Sequence, residues 1–277
     1  KNDDSMTASD NDEQQQALVF DKTTEKGADN GLFRACMVSI RSAHISANRL
    51  RTALVISGLF TDKTIYREVI ALFYAATNTL EQKIRHLQDT DEICRKLLSL
   101  GYSFGPQYEQ DLAVLYPGDW KQAVAAVIEN STDGAKAYLH QIETMTTGSE
   151  LAGAAFCLWG ALIIGGGAAA MPRVKALCGE EACHLFTSVT GPGRGRRKAD
   201  FIQLWDTLAS KEDGSSASEK QLFEKIVAVA EDCMRGNNEL ITSVKRNPWW
   251  LKFVVSTAVG VTAVGVFYLK QRGKRQA

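Results

Sequence analysis

Residues 64–87 read TIYREVIALFYAATNTLEQKIRHL. Ile65, Val69, Leu72, Phe73, Ala76, Leu80, Ile84 and Leu87 recur at three- and four-residue steps, which on a helix of 3.6 residues per turn makes one wide apolar stripe. No proline or glycine interrupts it. A helix this long and apolar along one side needs other helices to cover that side, and the flanking sequence supplies them. Upstream the chain becomes helical from Leu32, with His44, Ala47, Leu50 and Leu54 on one face, Gly58 as a stop and Thr61 as the cap of the next helix. Downstream, a shorter helix ends near Leu100 at Gly101, and Gly101 to Gly118 wraps the bundle as turns and one short helix. Trp120 to Glu129 is a further helix. Ser131 and Asp133 open another, whose core face is Tyr138, Ile142 and Met145. Leu222, Ile226, Val229 and Cys233 mark a long last helix of the bundle. No alternation is long enough to build a sheet, so the fold class is all-α.

Composition agrees. The 277 residues are 45% hydrophobic and 23% charged, which excludes a fully disordered or collagen-like chain. Five prolines in this length favour helices. The 32 basic and 32 acidic residues cancel, so overall electrostatics make no case for nucleic acid. Six scattered cysteines, at 36, 94, 157, 178, 183 and 233, read as small apolar helix residues. Cys178, Cys183 and His184 lack the second ligand pair that a metal site needs.

Both ends depart from the middle. Residues 1–30 are acidic and polar, begin KNDDSMTASDNDEQQQ without a methionine or signal-peptide stretch, and are expected to lie on a surface or free in solvent as a processed or truncated end. Residues 31–246 are expected to form the helical domain, and 247–277 a membrane anchor. Phe253 to Leu269 carries no charge, follows Trp249, Trp250 and Lys252, and precedes Lys270, Arg272, Lys274 and Arg275. At about 1.5 Å per residue, Trp249 to Leu269 spans roughly 31 Å, close to one bilayer core. The expected partner of this segment is therefore the lipid bilayer, with interfacial aromatics and snorkelling cations at its ends. The basic end favours a mitochondrial or plastid membrane, with the endoplasmic reticulum as the alternative. Glu150 to Ala170 is also nearly uncharged. Its five glycines, together with Trp159 and Pro172, predict a bent, buried helix closely approached by another helix or by a flat ligand.

Four segments, in order, resemble the membrane-anchored haem oxygenases. RSAHISANRL (41–50) resembles the family's first helix, with His44 at the position of the proximal iron ligand. TIYREVIALFYAATNTLEQKI (64–84) is similar to its second long helix. AKAYLHQIETMTTGSELAGAAFCLWGALIIGGGAAAM (135–171) looks like the hairpin into the distal helix, and HLFTSVTGPGRGRRKADFIQLWDTLA (184–209) like the turn and helix that close the pocket. The resemblance implies a haem-oxygenase-like bundle. If haem binds, it implies His44 on the iron and Gly165, Gly166 and Gly167 against the other face.

The sequence also departs from that pattern. Where the family has a distal aspartate, this chain has Ile163 or Ala161, and no carboxylate lies between Leu151 and Met171. Met37, Ile202 and Asp206 stand where the family's cations hold the haem propionates, and Asn48 stands where an acid orients the proximal imidazole. Arg41, or the Arg194, Arg196, Arg197, Lys198 loop, could substitute a cation. The expectation is therefore a protein without catalytic residues and without a cofactor, acting as a structural or interaction subunit of a membrane complex. The alternatives are an active haem oxygenase, cleaving haem to biliverdin, carbon monoxide and ferrous iron, or a haem carrier or sensor using His44.

Overall fold

The computed structural model describes residues 31–165, 167–210 and 215–244, with backbone only at 167–169. The chain divides into two units, Lys1–Val244 and Lys245–Ala277, and every described residue belongs to the first. The expectations for residues 1–30, Gly166 and the anchor Phe253 to Leu269 fall outside the described residues.

The described residues form helices only: α1 (Leu32–Ser39), α2 (Arg41–Ser57), α3 (Lys63–Leu87), α4 (Glu92–Leu98), α5 (Gly105–Leu115), α6 (Trp120–Glu129), α7 (Asp133–Thr144), α8 (Gly148–Ile163), α9 (Gly167–Cys178), a 3₁₀ turn at Glu180–Ala182, α10 (His184–Thr190), α11 (Arg194–Leu208) and α12 (Ala217–Ser243). Two long helices organise them. α3 packs against α4, α5, α6, α7 and α8, while α12 packs against α1, α2, α7 and α8. α8 therefore lies between the two, and Leu151 through Trp159 are all buried. Among the described residues no helix is long and apolar enough to cross a membrane. Of the Glu150–Ala170 segment, Leu151 to Trp159 and Ile163 lie in the bundle interior, whereas Ala161 is exposed. The segment is two helices rather than one bent one, and Pro172 sits within the second rather than beyond it.

The stripe of α3 is buried as its spacing requires. Ile65, Leu72, Ala76, Leu80 and Ile84 are in the core, and Val69, Phe73 and Leu87 pack against it. All six cysteines are buried and free. The caps fall one residue away from two expected positions. Asp62, not Thr61, accepts from the Thr64 N–H, and Thr132, between Ser131 and Asp133, caps α7. Gly58 ends α2 with φ of 120°, a conformation that a side chain would strain.

Several helices begin with no cap of their own, and distant acids serve three of them. α5 starts after Phe104, α10 after Cys183 and α1 after Gly31, none of which offers a capping side chain. Glu81 of α3 accepts from the Phe104 and Gly105 N–H groups at 2.7 and 3.2 Å. Asp111 of α5 accepts from the His184 and Leu185 N–H groups at 2.7 and 3.1 Å, and lies 3.0 Å from His184 Nδ1. Asp206 of α11 accepts from the Phe33 N–H at 3.0 Å. A fourth acid, Asp91, caps its own helix through Oδ1 and accepts from the Gly148 N–H of α8 through Oδ2. Anions belong at helix N-termini, where the unpaired N–H groups and the helix dipole converge. Burial still pushes the Glu81 and Asp111 carboxyls up from their ordinary range, and the N–H donors pull them partly back.

Replacing Asp111 by Asn puts an amide N–H₂ against a backbone N–H that needs an acceptor. The expected cost is about 1–3 kcal/mol in denaturant unfolding. The same change at Asp119, an exposed local cap of α6, should cost only a few tenths of a kcal/mol, because Asn caps about as well as Asp. Equal losses at the two positions would contradict this account.

Candidate functional site

α2 is held by one side. Ala43, Ala47 and Leu54 are buried, Asn238 of α12 donates to Ala43 O at 2.9 Å, and just before α2, at the end of α1, the Ser39 hydroxyl donates to Glu231 of α12 at 2.9 Å. His44, next to Ala43, sits at the border of that packed face and is half-buried. Burial, and secondarily the Arg51 guanidinium, push the imidazole down to about 4, so it is neutral at physiological pH. A neutral imidazole is the form that ligates iron.

Arg51 was not among the residues the sequence pointed to. The signal was available in its spacing: it follows His44 by seven residues, two turns along the same side of α2. Its Nε donates to Ala47 O at 3.4 Å and its Nη2 to Asn48 Oδ1. Asn48, standing where an acid would orient the histidine, thus serves the arginine.

The other candidate cations have different employment. Arg197 turns inward and donates to Ser188 O, while its own carbonyl accepts from the Tyr102 hydroxyl at 2.7 Å. Arg196 is exposed and pairs with Asp200 at 3.7 Å. Arg41 is exposed at the start of α2. Met37 is buried, Ile202 packs against the core, and Asp206 caps α1.

Gly153 of α8 serves packing. A Cβ at Gly153 would lie 2.7 Å from Val229 Cβ and 2.9 Å from Ala230 N, so α12 could not approach as it does. Close by, Cys157 Sγ donates to Ala230 O at 3.0 Å. A Cβ at Gly160 would lie 3.5 Å from the Phe201 ring, an ordinary contact. Phe201 in turn belongs to an aromatic cluster with Phe33, Phe156 and Trp205. Gly165 ends α8: its N–H donates to Gly160 O at 3.1 Å, and a Cβ there would meet Ala161 O at 2.5 Å. Its own helix therefore accounts for Gly165. Gly167 opens α9, and Gly166 lies outside the described residues. The structure makes no bonding contact between Gly165 and His44 among the described residues. Nor, among them, could any group of three or more His, Cys, Asp or Glu side chains hold a metal ion.

Whether these residues suit haem divides by side. On α2 they fit: a neutral imidazole to hold iron and a guanidinium able to take a carboxylate. On α8, from Leu151 onward, no side chain is a carboxylate or an imidazole.

No family model and no curated protein sequence matches the chain. Solved structures do. Haem oxygenase 2 from Chlamydomonas reinhardtii, determined without haem, superposes with a TM-score of 0.67 at 17% identity, covering 78% of this chain and 99% of that one. Haem oxygenase-1 from the cyanobacterium Synechocystis sp. PCC6803, in complex with haem, gives 0.59 at 16% identity over 86% and 99% of the two chains. The haem oxygenase from Leptospira interrogans gives 0.57 at 15% identity over 76% and 98%. The chain has the haem-oxygenase fold.

The His44 environment predicts a pH dependence. Unfolded, the imidazole takes its proton near 6.5; folded, it does so only near 4. As pH falls through that window, the unfolded chain gains a proton that the folded chain refuses, and stability drops. His44→Ala removes this contribution. Between pH 7 and 4 the variant should lose less stability than the parent, by on the order of 1–3 kcal/mol in denaturant titrations. Parallel losses would contradict the assignment.

Proposed function

We propose that this chain is a non-catalytic protein of the haem-oxygenase fold, a structural or interaction subunit held to a membrane complex by Phe253 to Leu269. A mitochondrial or plastid membrane is its expected place. The observation that carries the reading is the placement of acids. The segment from Leu151 to Met171 contains no carboxylate. Glu81, Asp91, Asp111 and Asp206, meanwhile, accept from helix N-termini, which engages them structurally. Oxygen activation on a haem requires controlled proton delivery, and acid–base catalysis needs a titratable group within hydrogen-bond reach of the reacting atom. Gly153, a glycine that could have exposed backbone to a ligand, is instead filled by the approach of α12.

A second reading, a haem carrier or sensor, is favoured by one specific observation: the imidazole of His44 is kept neutral beside a fixed cation. It is compatible with the first, since holding haem does not require the proton relay that turnover does.

The deciding experiment incubates the full chain in detergent with haem, oxygen and a reductase, and follows biliverdin absorption. No biliverdin above the protein-free background is expected. Biliverdin formation abolished by His44→Ala would overturn the non-catalytic reading. Alkaline carbonate extraction of membranes containing the full chain should leave it in the pellet, and its release would overturn the anchor.

A further inference from the structure

α1 and α2 follow one another on a nearly continuous screw. Ile40, the residue between them, is itself helical: its N–H donates to Cys36 O at 3.0 Å and its carbonyl accepts from the His44 N–H at 2.8 Å. At 3.6 residues per turn, Val38, Ser42, Ile45, Arg49, Thr52 and Ile56 line one side, opposite the buried Ala43, Ala47 and Leu54. A surface helix ordinarily presents a polar face there. This one does not. Val38 is 58% exposed, Ile45 46% and Ile56 62%, with Val55 beside them at 37%. Of the large apolar residues exposed among the described residues, only Val114 lies elsewhere. Single apolar residues on a surface are ordinary, whereas several collected on one helix mark a contact surface.

Charge and reach select the occupant. α1 and α2 carry Arg34, Arg41, Arg49 and Arg51 and no acid, and Arg41 and Arg49 are exposed along the apolar line. A second copy of this face would bring arginines against arginines, so the surface is not complementary to itself. The complementary sequence lies just upstream. Residues 1–30 hold eight acids against three lysines. Their run of large apolar residues, Leu18, Val19 and Phe20, is flanked by Asp10, Asp12 and Glu13 on one side and by Asp21 on the other. Phe20 precedes Gly31 by eleven positions. That length of chain spans up to about 36 Å when extended, whereas Ile45 lies only about 21 Å along the screw from Gly31. A tether this short also gives the segment an effective concentration on the order of millimolar, an advantage over any free partner.

We propose that the outer face of α1 and α2 is the docking surface for residues 10–21 of the same chain, with Leu18, Val19 and Phe20 over Val38 and Ile45 and the flanking acids against Arg41 and Arg49. The contact requires neither haem nor catalysis. An acidic partner approaching this face has to displace the segment first.

The test is alkylation of an introduced thiol in the full chain in detergent, against the slow background of six native cysteines that are all buried. Ser42→Cys places the thiol between Val38 and Ile45, and Ala125→Cys places one on the exposed side of α6 as a reference. With a maleimide at fixed pH, the Ser42→Cys protein should react about tenfold more slowly than the Ala125→Cys protein, or more slowly still. Adding Leu18→Ser and Phe20→Ser should bring the two rates together while leaving the Ala125→Cys rate unchanged, which also reports an intact bundle. Arg49→Glu should likewise speed the reaction at position 42. Equal rates in the two single variants would show a bare face and overturn the proposal. So would protection that survives Leu18→Ser and Phe20→Ser. Protection that grows with protein concentration would overturn it in favour of a second copy, and protection that appears only on anionic phospholipid vesicles in favour of a bilayer.

Discussion

The bundle depends on acids that reach across it to the starts of other helices. A helix N-terminus buried without acceptors leaves donors unpaired, at a cost of about 1–3 kcal/mol each. α1, α5 and α10 begin with Gly31, Phe104 and Cys183 as their capping positions, and none of these can accept. Asp206, Glu81 and Asp111 supply the missing oxygens from residues far away in sequence. Each contact fixes both where a helix starts and which neighbour it starts against. Their geometry therefore sets the packing of α1 on α11, α5 on α3 and α10 on α5.

This arrangement bears directly on the site. Asp206 lies on the helix where the resemblance to haem oxygenases led us to expect a cation, and its charge is directed at the Phe33 N–H. α8 is tied at its start by Asp91 and pressed along its length by α12, which uses the absence of a side chain at Gly153. The helix that would face a haem opposite α2 is thus buried against protein along most of its length. On α2, His44 and Arg51 stand two turns apart on one side of the helix, next to the buried Ala43 and Ala47.

Much of the fold was legible in periodicity. The α3 stripe, the Trp120–Glu129 helix, the core face Tyr138, Ile142 and Met145, and the stops at Gly58 and Gly101 are local patterns, and local physics sets them. The cross-bundle caps were not legible, because a carboxylate's partner 23 to 173 positions away leaves no mark on its own neighbourhood. Phe33 and Asp206 are separated by 173 residues. The reason for Gly153 was hidden likewise: close approach by Val229 explains a glycine that sequence alone could equally have assigned to a ligand. At the site, His44 was legible through resemblance, whereas Arg51 required seeing its side chain fold back rather than outward into solvent.

Amide hydrogen exchange of the full chain tests the central claim most directly, read at Phe33, Phe104, Gly105, Gly148, His184 and Leu185. If distant carboxylates hold these N–H groups, they should exchange only through opening of the bundle, with protection approaching that of the mid-helix amides of α3. Exchange at the rate of free helix-end amides would show that the acids are not engaged there, and would return them to the pool of groups available for proton transfer.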